Sequence, residues 1–127
     1  MVLASLSLGI YNRPPAEVNT DSLNARFTNR FTPYPYVPDT HFQCAFGHLY
    51  GYGAGYYTYM WSLVIAKDMF SKFNHENLLD PTIARRYRDA VLAPGGSAPA
   101  AKLVERFLGR PFSFEAYRAW LNGTDLN

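Results

Sequence analysis

Apolar residues recur at helical spacing from the start of the chain. The pattern over residues 2–11 predicts a helix with one apolar side. The residues of that side are Val2, Leu3, Leu6 and Ile10. Because this helix begins without a capping residue, we expect it to belong to a larger helical structure.

A second amphipathic helix follows the helix-breaking pair Pro14-Pro15 and runs to residue 31. Thr20 or Asp21 is its expected N-cap. Residues 32–40 then alternate proline with aromatic side chains, which disfavours a helix and predicts an extended, rigid connector.

The longest helix is predicted over residues 56–73, the most apolar part of the chain. Its first half is apolar on almost every side, which is typical of a helix surrounded by protein. A polar face appears only in its second half. The side chains of that face are Lys67, Asp68, Ser71 and Lys72.

Three shorter helices are predicted to close the chain, with Asp80, Ser97 and Ser113 as their N-caps. No alternating strand pattern occurs, so the sequence predicts an all-α fold of five to six helices in a single domain segment. Its parts are the helices of 1–31, the connector 32–40, the Gly/Tyr-rich loop and central helix 41–73, and the C-terminal helices 74–123.

Charge and cysteine content exclude several classes of function. The net charge is only +2, and the one basic cluster, residues 85–88, is expected on the solvated side of a helix, so we expect no nucleic-acid partner. The apolar N-terminus is too short and has no basic residues ahead of it, so we expect neither a signal peptide nor a membrane partner. Cys44, the single cysteine, excludes an internal disulfide. We expect it to be a buried free thiol in a cytoplasmic protein.

Candidate chemistry is concentrated between residues 41 and 73, which hold two of the three histidines and half of the ten tyrosines. The glycine-rich turn 51–55 predicts a mobile backbone. Tyr56 and Tyr59 follow it, three residues apart on one helix face. A protonated phenol can donate a hydrogen bond to a developing oxyanion. Composition alone favours the alternative that these aromatic residues belong to the core.

Metal and nucleotide motifs are incomplete. His75-Glu76 begins like H-E-x-x-H, but Leu79 stands in place of the second histidine. His41 and His48 are seven residues apart, too far for a simple pair on one metal. The glycines of 51–55 follow no apolar strand, so they do not form a dinucleotide fingerprint. We therefore expect no metal on this chain alone.

Several motifs in fixed order nevertheless resemble one family. They are Phe46-Gly47-His48-Leu49, Gly51-Tyr52-x-Ala54-x-Tyr56-Tyr57-x-Tyr59-x-Trp61-Ser62, Asp68-Met69-Phe70, Pro94-Gly95-Gly96 and Phe107-Leu108-Gly109-Arg110. From about residue 40 to residue 123 the chain resembles the C-terminal region of the thimet oligopeptidase and oligopeptidase A family of zinc metallopeptidases. It departs from the family pattern in a loop one residue shorter, where Gly51 is followed directly by Tyr52, and in Leu63 at a commonly acidic position.

The resemblance implies a helical fold beside a channel for short peptides, which are hydrolysed with the help of a zinc ion bound by H-E-x-x-H. It implies that Tyr56 and Tyr59 stabilise the tetrahedral intermediate. It also implies a substrate-binding set in a loop that moves as the peptide binds. That set is His48, Gly51, Tyr52, Gly53 and Gly55.

The zinc ligands and general-base glutamate of that family lie upstream and have no counterpart in this sequence. We therefore expect a C-terminal segment that is inactive alone and supplies oxyanion and peptide contacts to an N-terminal, zinc-bearing partner or to a full-length parent protein. Two alternatives are a helical module that binds peptides without chemistry, and a segment that forms a homo-oligomer through exposed apolar helix faces.

Overall fold

The computed structural model describes residues 1–124, and the fold of this range is all-α, without a β-strand, as predicted. Its α-helices are α1 (Val2–Tyr11), α2 (Thr20–Phe31), α3 (Phe42–Ala45), α4 (His48–Tyr52), α5 (Thr58–Phe70), α6 (Pro81–Tyr87), α7 (Ala100–Leu108) and α8 (Glu115–Leu121). Short 3₁₀ turns lie at Pro15–Glu17, Gly55–Tyr57 and Gly95–Ser97, and a π turn lies at Arg88–Leu92. The helices outnumber the five to six expected because α3 and α4 are short helices within a stretch that was predicted to be a loop.

The chain divides into two compact units, residues 1–59 and the residues from 60 onward, with the boundary inside α5. In the first unit, α1 and α2 pack around a core of Leu6, Leu23 and Phe46. Gly9 lies where the two helices meet, and a Cβ there would approach the Phe27 ring to 3.0 Å. A glycine in the middle of α1 is thus explained by close helix packing.

The prediction that Thr20 or Asp21 caps α2 is wrong. Asn19 takes this position with an extended backbone, and its side chain accepts a hydrogen bond from the Ser22 N–H at 2.8 Å. Thr20 is already helical. The carboxylate of Asp21 instead accepts hydrogen bonds from His41 and Gln43.

The connector 32–40 contains no helix, as predicted. Thr32 is extended, and its hydroxyl contacts the carbonyls of Thr28 and Tyr34 at 3.0 and 2.7 Å. The Tyr36 N–H donates to the Asn29 side chain at 2.8 Å. These hydrogen bonds hold the connector against the end of α2.

The second unit packs around Ala90, Val104, Phe107 and Leu108. Asp80 caps α6 as predicted, accepting from the Thr82 N–H at 2.8 Å. The other two predicted caps are wrong. Pro99 and Phe114 occupy the N-cap positions of α7 and α8 without a side-chain hydrogen bond. Ser97 lies in a 3₁₀ turn, and the backbone N–H of Ser113 donates to Asp68.

Asp68, which was predicted on the polar face of the central helix, has a fully buried side chain. Two guanidinium nitrogens of Arg110 donate to its carboxylate at 2.6 and 2.8 Å, and the Ser113 N–H donates at 2.7 Å. The hydrogen bonds from Arg110 hold the pKa of Asp68 below its ordinary value despite burial. This ion pair joins α5 to the segment between α7 and α8.

The expectation for Cys44 is wrong, and the expectation for the basic cluster 85–88 is confirmed. Cys44 is exposed and not buried, because Phe46, two residues later, fills the core beside α3. The basic side chains of 85–88 are exposed, as predicted. Within residues 1–124, no helix combines the length and apolarity that crossing a membrane requires.

Candidate functional site

The structure brings four of the predicted site side chains together in the first unit. The ring of His48 lies 5.6, 5.0 and 5.8 Å, between centroids, from the rings of Tyr52, Tyr56 and Tyr59. Tyr56 and Tyr59 are themselves 5.0 Å apart. We call these four residues the His48 cluster.

Local helix geometry explains this grouping. His48 and Tyr52 are four residues apart on α4, and Tyr56 and Tyr59 are three apart across the 3₁₀ turn and the start of α5. Gly53 reverses the chain between the two pairs with φ 52° and ψ −125°, a conformation that only glycine adopts without strain.

The other two predicted loop glycines have different roles. Gly51 lies inside α4, and Gly55 opens the 3₁₀ turn; neither has a positive φ. The stretch 51–55 is consequently less irregular than its composition suggests, and Gly53 is the position in it that needs glycine for its backbone conformation.

Tyr59 and His48 share a hydrogen bond of 3.3 Å between the phenol oxygen and Nε2. When Nε2 carries the imidazole proton, the phenol oxygen accepts it and the Tyr59 O–H remains available to a ligand. Partial desolvation by the neighbouring rings, followed by the proximity of Tyr52 and Tyr56, raises the pKa of Tyr59 above its ordinary value of 10.0. The phenol is therefore a neutral donor at physiological pH.

The cluster is open to the exterior. Tyr52 is 60% exposed and Tyr59 is 49% exposed. A surface depression of about 500 Å³ adjoins it, lined by Ala45, Gly47, His48, Tyr50, Gly51 and Tyr52. Within residues 1–124 the Tyr56 hydroxyl bonds to no protein group. The arrangement thus presents phenol donors to any molecule that enters from this side.

Sequence reasoning missed three residues that support the cluster. Phe46 is buried and lies 5.4 Å from the His48 ring and 5.1 Å from the Tyr56 ring, so it forms their inner wall. Ser7 and Tyr11 of α1 donate hydrogen bonds to backbone carbonyls next to the cluster. Phe46 could have been found from its place in the Phe-Gly-His-Leu motif, whereas a serine in an apolar helix gave no signal.

The residues present do not fit a zinc site. Among residues 1–124 no three His, Cys, Asp or Glu side chains lie close enough to hold a metal together. His41 instead pairs with Asp21 at 2.7 Å on the surface. The hydrogen bond that His41 donates to Asp21 raises the pKa of His41 and lowers the pKa of Asp21.

Comparison with known proteins identifies relatives of the chain. The sequence pattern of peptidase family M3 matches residues 1–122. The chain is 37% identical over 107 residues, 81% of its length, to a mitochondrial intermediate peptidase of Pleurotus djamor. It is 35% identical over 109 residues, 84% of its length, to a thimet-like oligopeptidase of Dictyostelium discoideum. It is 36% identical over 74 residues, 57% of its length, to oligopeptidase A of Haemophilus influenzae. The matched stretch is 14%, 16% and 11% of those proteins, respectively.

Proposed function

Because this chain belongs to peptidase family M3, we propose that its His48 cluster binds short peptides and stabilises the tetrahedral intermediate of peptide-bond hydrolysis. The observation that supports this proposal most directly is the gathering of three phenols around one imidazole on an open face. The predicted resemblance to an oligopeptidase family is confirmed by the family match.

The roles of the residues follow from their chemistry. Tyr56 and Tyr59 donate hydrogen bonds to the oxyanion that develops on the scissile carbonyl, and the raised pKa of Tyr59 keeps its proton in place. His48 orients Tyr59 through its Nε2. Tyr52, with the backbone of Gly51, Gly53 and Gly55, contacts the peptide on the exposed side.

The catalytic metal comes from elsewhere in this proposal. Family M3 enzymes depend on zinc, which activates water for hydrolysis, and residues 1–124 contain no fitting ligand set. We place the zinc ligands and the general base on a segment N-terminal to these residues, in the same protein or in a partner chain. This segment alone is then inactive, although it carries the side chains that we propose to bind the peptide.

Reconstitution tests the proposal. The chain is mixed with a zinc-bearing N-terminal segment of a family M3 peptidase, and hydrolysis of a short internally quenched peptide is followed by fluorescence. We expect activity from the mixture and from neither part alone, and its loss when a chelator is added. Activity of the isolated chain that survives the chelator would refute the proposal.

Peptide binding without the N-terminal segment separates this proposal from its main rival. A module that binds peptides but performs no chemistry binds them equally well with and without the segment, and the mixture stays inactive. Light scattering with and without the segment tests the other alternative, because a homo-oligomer formed through the half-exposed Tyr57, Met60 and Trp61 would be seen for the chain alone and would dissociate when the segment binds.

A further inference from the structure

Helix α1 reaches the His48 cluster through two hydrogen bonds. The hydroxyl of Ser7, whose residue is only 1% exposed, donates to the Gly53 carbonyl at 2.6 Å. The phenol of Tyr11 donates to the Leu49 carbonyl at 2.5 Å. Both acceptors belong to the backbone that carries Tyr52.

The spacing of the two bonds makes them a matched pair. Ser7 and Tyr11 are four residues apart, so they project from the same face of α1. Their acceptors, Leu49 and Gly53, are also four residues apart, on α4 and just beyond its end. The last carbonyls of a helix lack partners within the helix, and a helix as short as α4 consists largely of such ends.

Between these two carbonyls lie Tyr50, Gly51 and Tyr52. Fixing Leu49 and Gly53 therefore fixes both ends of the segment that presents Tyr52 to the His48 ring. Gly53 is also the residue with the glycine-only backbone conformation, and the orientation of its carbonyl depends on that conformation. The Ser7 hydroxyl thus selects one of the several conformations that a glycine permits.

We propose that Ser7 and Tyr11 are positioning residues that hold the 49–53 segment in the conformation that packs Tyr52 against His48. Their contribution to peptide affinity rests on the function proposed above. Their role in holding the 49–53 segment does not depend on that function, and it can be measured on the chain without any peptide.

The first experiment is NMR on the whole chain. Ser7→Ala removes the buried hydroxyl, and Ser5→Ala is the matched control on the same helix, because the Ser5 hydroxyl bonds to no protein group within residues 1–124. We expect amide hydrogen exchange over residues 50–53 to rise about fivefold in Ser7→Ala, as the loss of one ordinary hydrogen bond predicts. The His48 ring protons should also shift, because the ring of Tyr52 moves relative to them.

Tyr11→Phe is the second variant, with Tyr34→Phe, at an exposed tyrosine of the connector, as its control. Tyr11 is half exposed, so this change leaves the core intact even if Ser7→Ala unfolds the chain. Ser7→Thr, which keeps the hydroxyl, should restore the wild-type exchange and the His48 shift. Unchanged exchange and an unchanged His48 shift in both Ser7→Ala and Tyr11→Phe would overturn the proposal.

Peptide affinity provides the last readout. If the chain binds a short peptide, Ser7→Ala and Tyr11→Phe should weaken binding severalfold, while Ser5→Ala and Tyr34→Phe leave it unchanged. If no peptide binds to the wild-type chain or to the reconstituted mixture, the proposed function fails, and the exchange data still decide whether Ser7 and Tyr11 position the segment.

Discussion

The Asp68 ion pair and the His48 cluster are both polar, yet they are constructed in opposite ways. Asp68 is 1% exposed, and three N–H donors from Arg110 and Ser113 occupy its carboxylate. The His48 cluster is partly exposed, and its internal hydrogen bond is long at 3.3 Å. One group is saturated by protein partners and the other retains capacity for a ligand.

This difference separates polar residues with a structural role from those that we propose to be functional. A buried carboxylate must have its acceptors filled, because an unpaired charge in the interior is costly. Phenols and an imidazole at the surface carry no such requirement, since water or a substrate can occupy their donors. We therefore expect changes at Asp68 to act on folding and changes in the His48 cluster to act on activity.

The largest effect is expected for Tyr56→Phe in the reconstituted enzyme. Removing one oxyanion donor lowers kcat by about 10²–10³. The phenylalanine ring still fills the place beside Phe46, so stability should be almost unchanged. The measurement is steady-state hydrolysis of a quenched peptide, together with denaturant unfolding of the isolated chain.

Tyr57→Phe is the matched control, because Tyr57 is adjacent, half exposed and outside the cluster. It should retain wild-type kcat. An equal loss of activity in both variants, or no loss in Tyr56→Phe, would contradict the proposed role of the His48 cluster in activity.

Asp68→Asn should have the next largest effect, on the free energy of unfolding of the second unit. The substitution removes the charge that Arg110 pairs with, and we expect a loss of about 2 kcal/mol because Arg110 is itself 42% exposed and can be rehydrated. Both tryptophans, Trp61 and Trp120, lie in this unit, so their fluorescence reports its unfolding.

Asp89→Asn provides the control for this measurement. Asp89 also pairs with an arginine, Arg88, but both side chains are more than half exposed, and exposed pairs contribute little. If Asp89→Asn destabilises the chain as much as Asp68→Asn does, burial is not what makes the Asp68 pair structural.

Gly53→Ala and Gly51→Ala form a pair with effects of opposite sign. Neither added Cβ meets another atom within 4 Å, so only the backbone conformation differs. At Gly53 the positive φ makes alanine cost about 1–2 kcal/mol. At Gly51, inside α4, alanine should stabilise the chain by about 0.5 kcal/mol. Thermal unfolding of the two variants measures both, and destabilisation by Gly51→Ala would contradict the helical assignment.

Local patterns predicted the six longer helices, although α5 is shorter than the predicted 56–73, but they missed α3 and α4 and predicted the tertiary polar contacts poorly. The bounds of α1 and the cap of α6 depend on residues that are close in sequence, and both agree with the prediction from the sequence. The role of Asp68 could not be predicted, because its partner is 42 residues away and a charged residue on a helix is ordinarily solvated.

The His48 cluster was predicted as a set by the family resemblance, whereas helical spacing joined only Tyr56 and Tyr59 and composition alone favoured a place in the core. Its supports were not predicted, since Ser7 and Gly53 are 46 residues apart and a serine in an apolar helix is unremarkable. The predicted serine caps of α7 and α8 failed for a related reason. Proline at 99 and a tertiary hydrogen bond at Ser113 override the local preference for serine at an N-cap.

The smallest expected effect is a pH dependence that differs between the two units. The pKa of Asp68 is lowered by Arg110, so its contribution to stability is present above pH 3.8 and is lost as the pH falls through its folded-state value. The pKa of His41 is raised by Asp21, so its contribution is present below pH 6.5 and is lost as the pH rises through its folded-state value. The melting temperature of Asp68→Asn should therefore converge with that of the wild type at low pH. The melting temperature of His41→Gln should converge with that of the wild type at high pH. The effect of His41→Gln should be slight because both partners are exposed, and a difference that grows with rising pH would contradict the ion pair with Asp21.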